Sequence, residues 1–109
     1  ANFINFFQLN QKYVKNILQA FTLDKFCEEI DSWPNYIKCD TNGNKLEILK
    51  RCKKTLLHEN FKSLYIEFMD TIIFDNVLNY FGQIKFKYKI SSITATNPKS
   101  FNVIIKKNI

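Results

Sequence analysis

Hydrophobic and polar positions follow one period in the first half of this chain and another near its end. From residue 3 to 21, Phe3, Phe6, Phe7, Val14, Ile17, Leu18 and Phe21 recur at helical spacings, which predicts an amphipathic helix. Thr22 can cap a second helix, with Leu23, Phe26, Cys27 and Ile30 on one face. Pro34 should end it, because proline has no N–H and restricts Trp33 before it. Tyr36 to Asp40 reads as a short strand. Thr41-Asn42-Gly43-Asn44 reads as a turn, with Gly43 free to take positive φ. Residues 45–59 predict a third helix, with Leu46, Leu49, Cys52, Leu56 and Leu57 as its apolar stripe.

Further on the period falls to two. Ile84, Phe86, Tyr88 and Ile90 alternate with Gln83, Lys85, Lys87 and Lys89, which predicts a half-buried strand. Phe101, Val103 and Ile105 predict another, and Thr94–Lys99, with Asn97-Pro98, the loop between them. Residues 63–81 are apolar nearly all round. Their β-branched and aromatic content favours two strands joined at Asp75-Asn76, with a buried helix as the alternative.

This order predicts one α+β domain, residues 1–109, with N-terminal helices packed on a curved antiparallel, cone-like sheet. The order resembles the nuclear-transport-factor-2-like (cystatin-like cone) superfamily across the whole chain. The helix Leu23 to Ile30 after a long first helix, the turn Asn42-Gly43 and the closing strand Ser100 to Lys107 carry the resemblance. The chain departs from that pattern in a final meander one strand short, and in Phe101 where the family often has tryptophan. The resemblance implies either an acid–base pair inside the cone or a non-enzymatic module that dimerises or binds through its outer sheet face. Taking 63–81 as a helix gives the alternative, a winged helix. Its C-terminal hairpin then carries Lys99 at the wing tip, with Asn76–Tyr80 in the recognition region.

Charge adds a candidate surface. The net charge is +6, yet Arg51 is the sole arginine. Such a charge favours acidic partners, an acidic protein surface or nucleic acid. The lack of arginine argues against specific base readout. Lys85, Lys87 and Lys89 should project from one strand face. Lys106 and Lys107 end the neighbouring strand, and Lys99 lies in the loop. These six are the candidate binding residues. The competing explanation is that strand lysines guard against edge pairing.

Catalytic signals are sparse. Asp70, inside an apolar stretch, is the one weak catalytic candidate, and its ordinary role would be to bond a turn or a lysine. His58 suits a helix C-terminus. Cys27, Cys39 and Cys52 have neither zinc-ligand nor disulfide-framework spacing and read as buried free thiols. No metal or cofactor is expected, and no stretch reaches the length of a membrane span. The absence of N-glycosylation sequons points to an intracellular chain. The favoured reading is a non-enzymatic binding or assembly module, with homodimerisation open. A nucleic-acid-binding winged helix and a small cone-fold enzyme or ligand carrier using Asp70 are the alternatives.

Overall fold

The ambiguous stretch resolves into one strand and one helix. Leu64, Ile66 and Phe68 are fully buried while Ser63, Tyr65 and Glu67 are only partly so, the alternation of a strand. The chain then turns at Asp70, whose Oδ1 accepts the Ile73 amide at 2.8 Å and so caps a helix. Asp75-Asn76 therefore lies within that helix and makes no hairpin turn. With 63–68 a strand, the winged-helix reading, which needed 63–81 as helix, does not apply.

The computed structural model describes residues 3–5, 22–39, 45–96 and 99–108. Its elements are β1 (Phe3–Asn5), α1 (Leu23–Ile30), β2 (Tyr36–Cys39), α2 (Lys45–Lys50), α3 (Lys53–Leu57), β3 (Ser63–Phe68), α4 (Thr71–Gln83), β4 (Tyr88–Ala95) and β5 (Phe101–Lys107). Phe3–Asn5 form a strand where the periodicity predicts helix; the rest of that predicted helix and the turn 41–44 lie outside the described residues.

The fold is of the α+β class. The sheet is mixed and not closed, with strand order β1-β2-β3-β5-β4. β1, β2 and β3 run parallel, whereas β5 is antiparallel to both β3 and β4. β4 is therefore parallel to β3, and α4 is the crossover between them. Each parallel connection moves the same way across the sheet. Connections of one hand that advance in one direction must pass over one face. The core agrees, because Ile37, Cys39, Leu64, Ile66, Phe68, Val103 and Ile105 are buried in one cluster with helical residues from α1 to α4.

Phenylalanine fills this core. Phe68, Phe74 and Phe101 meet with ring centroids 5.0–5.7 Å apart. Phe81 packs edge-on to both Phe86, at 4.9 Å, and Tyr88, at 5.4 Å. α4 ends at Gln83, and Lys85 takes φ 58 where glycine is commoner. β4 begins only at Tyr88, so Lys85 and Lys87 precede the strand predicted to hold them.

The helical layer is tied by Asp24. The predicted third helix is broken at Arg51–Cys52, and Cys52 supplies no side-chain cap to α3. Asp24, in the first turn of α1, caps α3 instead. Its carboxylate accepts from the Lys54 amide at 2.9 Å, the Thr55 amide at 2.8 Å and the Thr55 hydroxyl at 2.7 Å. Thr22 caps α1 as predicted, accepting from the Lys25 amide at 3.0 Å. The helix ends three residues before Pro34, where Asp31 takes the left-handed conformation.

Asp24→Ala should lower stability by about 2–3 kcal/mol in chemical denaturation, and Asp24→Asn by about half of that, since one oxygen remains to accept. Cys27, Cys39 and Cys52 are buried thiols outside any disulfide, and burial pushes the Cys27 and Cys52 thiols above their ordinary 9.0. Ellman's reagent should therefore find none of the three in the native protein and all of them in denaturant. Because the folded thiols hold their protons while unfolded ones ionise, their contribution to stability should fall as pH rises past 9.0.

Candidate basic sheet surface

One face of the sheet carries no described helix. Cross-strand register places its side chains in rows. The first runs Tyr36–Ser63–Lys106–Lys89, and the second Lys38–Tyr65–Ile104–Ser92. A third runs Glu67–Asn102–Thr94. Neighbours within a row are about 4.8 Å apart and successive rows about 6.8 Å.

The candidate lysines divide on this frame. Lys89 and Lys106 are direct cross-strand partners, and both are exposed. Among the described residues neither makes an ion pair. Lys87 reaches the same end of the sheet, where its carbonyl accepts the Asn108 amide at 2.9 Å. Lys85 is exposed in the turn that follows α4, before the strand. Lys99 lies in the β4–β5 connection, at the far end of β5 from Lys106. The single stripe Lys85–Lys87–Lys89 is thus not formed, because only Lys89 belongs to the strand.

Lys107 faces the other way. Its Nζ donates to the His58 carbonyl at 2.7 Å, and burial lowers its pKa from the ordinary 10.5. It serves the core side, where Trp33 and His58 stack with centroids 4.5 Å apart. Asp70 is likewise excluded from the surface, being exposed and occupied as the cap of α4.

Sequence reasoning missed Lys62 and Lys38. Lys62 is exposed just before β3, and its carbonyl accepts the Lys107 amide at 2.8 Å, which joins it to the basic end. Lys38 holds its Nζ 5.7 Å from the centre of the Tyr65 ring. No local pattern marks either one, since parallel pairing of β2 with β3 brings Lys38 here and antiparallel pairing of β3 with β5 brings Lys62. A signal was available in charge order. All ten acidic residues lie at or before Asp75, and six lysines follow it with no carboxylate among them.

The carboxylates that the structure engages lie on the helical layer. Glu28 meets Lys54 at 2.7 Å, and Glu47 meets Lys50 at 3.8 Å. Asp24 is committed to α3. Among the described residues, no group of His, Cys, Asp or Glu has an arrangement able to hold a metal ion. No described helix is long and apolar enough to cross a membrane.

Like charges placed directly opposite on a sheet destabilise it. Lys106→Thr should therefore raise stability by about 0.2–1 kcal/mol at low salt, and the gain should shrink as salt screens the pair. Denaturation curves at two ionic strengths measure it. No protein-family model, curated protein or solved structure matches this chain.

Proposed function

We propose that this chain is a non-enzymatic binding module that meets an acidic partner through the basic end of its sheet. The observation that carries the reading is the Lys89–Lys106 pair. Edge protection accounts for Lys89, because β4 is the last strand of the sheet. It does not account for Lys106, because β5 is an inner strand hydrogen-bonded on both sides. An inner-strand lysine set opposite another lysine, with no described carboxylate beside it, is mildly unfavourable in the free protein. A partner's negative charge placed over the pair reverses that sign.

Lys62 and Lys87 extend the positive field around the same end. Lys107 contributes field but not contact, since its ammonium is held by the His58 carbonyl. Solvated lysines of this kind act chiefly on encounter rate and salt dependence.

The test is fluorescence anisotropy with a labelled polyglutamate peptide and a labelled oligonucleotide, each titrated across salt. The 109-residue chain should bind at least one of them, more weakly as salt rises. Lys89→Glu with Lys106→Glu should weaken that binding about tenfold or more. Lys99→Glu, at the far end of β5, should change it little. Equal affinities for the double variant and the parent would overturn the proposal.

A further inference from the structure

We propose that the acidic partner is a single-stranded nucleic acid, whose bases stack on Tyr36 and Tyr65 while its phosphates meet Lys38, Lys106 and Lys89. This rests on the basic-surface reading above and adds the tyrosines to it.

The tyrosines are an observation independent of charge. Tyr36 and Tyr65 stand on neighbouring strands of the face that carries no described helix, in successive rows. Both are only partly buried. Most other described aromatic side chains pack ring against ring, as Phe61, Phe81, Phe86 and Tyr88 do, and Phe26, which does not, lies against the core. Tyr36 and Tyr65 instead pack against no other ring among the described residues, and neither hydroxyl has a described hydrogen-bond partner. Two rings without a ring partner among the described residues offer π-surfaces at which bases of any sequence can lie.

The cations sit where a strand's phosphates would pass. Lys38 is the cross-strand neighbour of Tyr65, and Lys106 is the diagonal neighbour on its other side. Lys89 continues outward from Lys106 to the edge of the sheet. Lys38 now rests its ammonium on the Tyr65 ring, 5.7 Å from its centre. That contact is weak at a partly solvated site, and a base on the ring together with a phosphate on the ammonium would replace it with two stronger ones. Glu67 is the one carboxylate in the three rows, and it lies in the third, beyond Tyr65. The negative charge is therefore at the opposite end from the lysine pair, which favours a path over Lys106 and Lys89 and away from Glu67.

The surface fits a single strand better than a duplex. A duplex keeps its base faces stacked inside and presents phosphates, sugars and base edges, so the tyrosines would find no face to stack on. The scarcity of arginine agrees with binding that is tolerant of sequence.

The experiment compares three labelled probes on the full chain: an oligothymidylate, the same length of abasic sugar-phosphate strand, and a duplex. The oligothymidylate should bind tightest, and removing its bases should weaken binding by about 5- to 100-fold. Tyr65→Ala and Tyr36→Ala should each weaken the oligothymidylate by a similar factor and leave the abasic strand unchanged, while Tyr65→Phe should retain binding. The abasic arm needs no protein variant, so loss of folding cannot imitate the result. Equal binding of oligothymidylate and abasic strand would overturn the stacking proposal and leave the lysine surface standing. Tighter binding of polyglutamate than of any oligonucleotide would also overturn it, in favour of an acidic protein. Failure of every polyanion to bind would remove both.

Discussion

The structure depends on a single topological constraint, that its parallel connections all advance the same way across the sheet. β1, β2 and β3 follow one another in space as in sequence, and α4 carries the chain onward to β4. Connections of one hand must then share a face, and every described helix packs on it. The apolar sequence is spent on that face, in the cluster from Leu23 to Ile105. Among the described residues the other face carries Tyr36, Lys38, Tyr65, Ile104, Lys106 and Lys89 alongside small polar residues and Glu67. The candidate surface is thus a consequence of the connectivity and needs no special loop.

The same constraint sorts the charges. A one-sided helical layer must hold short helices together at their ends, and α3 has only the residues Lys53–Leu57. Helices this short are not stable alone. A carboxylate from α1 supplies the missing cap, and Glu28 reaches across to Lys54 beside it. Acidic residues so employed are unavailable to neutralise the strands. Across β4 and β5, Lys89 and Lys106 meet each other.

Much of this was legible in the sequence, and the failures have physical causes. The caps at Thr22, the strand at Tyr36–Cys39 and the closing strand were marked by local chemistry. Residues 63–81 were not, because Tyr65 looks apolar although it stands on the polar side of β3. Asp70 was the signal that separates strand from helix there, since a carboxylate three residues before Ile73 is an N-cap. The alternation from Ile84 to Ile90 reported burial correctly, with Phe86 buried and Lys85, Lys87 and Lys89 exposed. It did not report strand, because a left-handed turn and an extended lead-in show the same alternation. Parallel pairing of β2 with β3, which brings Lys38 to Tyr65, joins residues far apart in sequence and leaves no local trace.

One irregularity keeps the basic face as it is. β4 is bulged between Ile90 and Ser92, so Ser91 is left out of the pairing. Without the bulge, strict alternation from Lys89 would send Ser91, Ile93 and Ala95 to the side of the lysines. With it, Ile93 pairs opposite Val103 and Ala95 opposite Phe101, both on the core side, while Ser92 and Thr94 follow Lys89. Ile93 remains 55% exposed even so, on the edge strand of the sheet. The register shift therefore spends a pairing position to keep an isoleucine out of a basic surface. That makes the polarity of the face a property of the backbone as much as of its side chains.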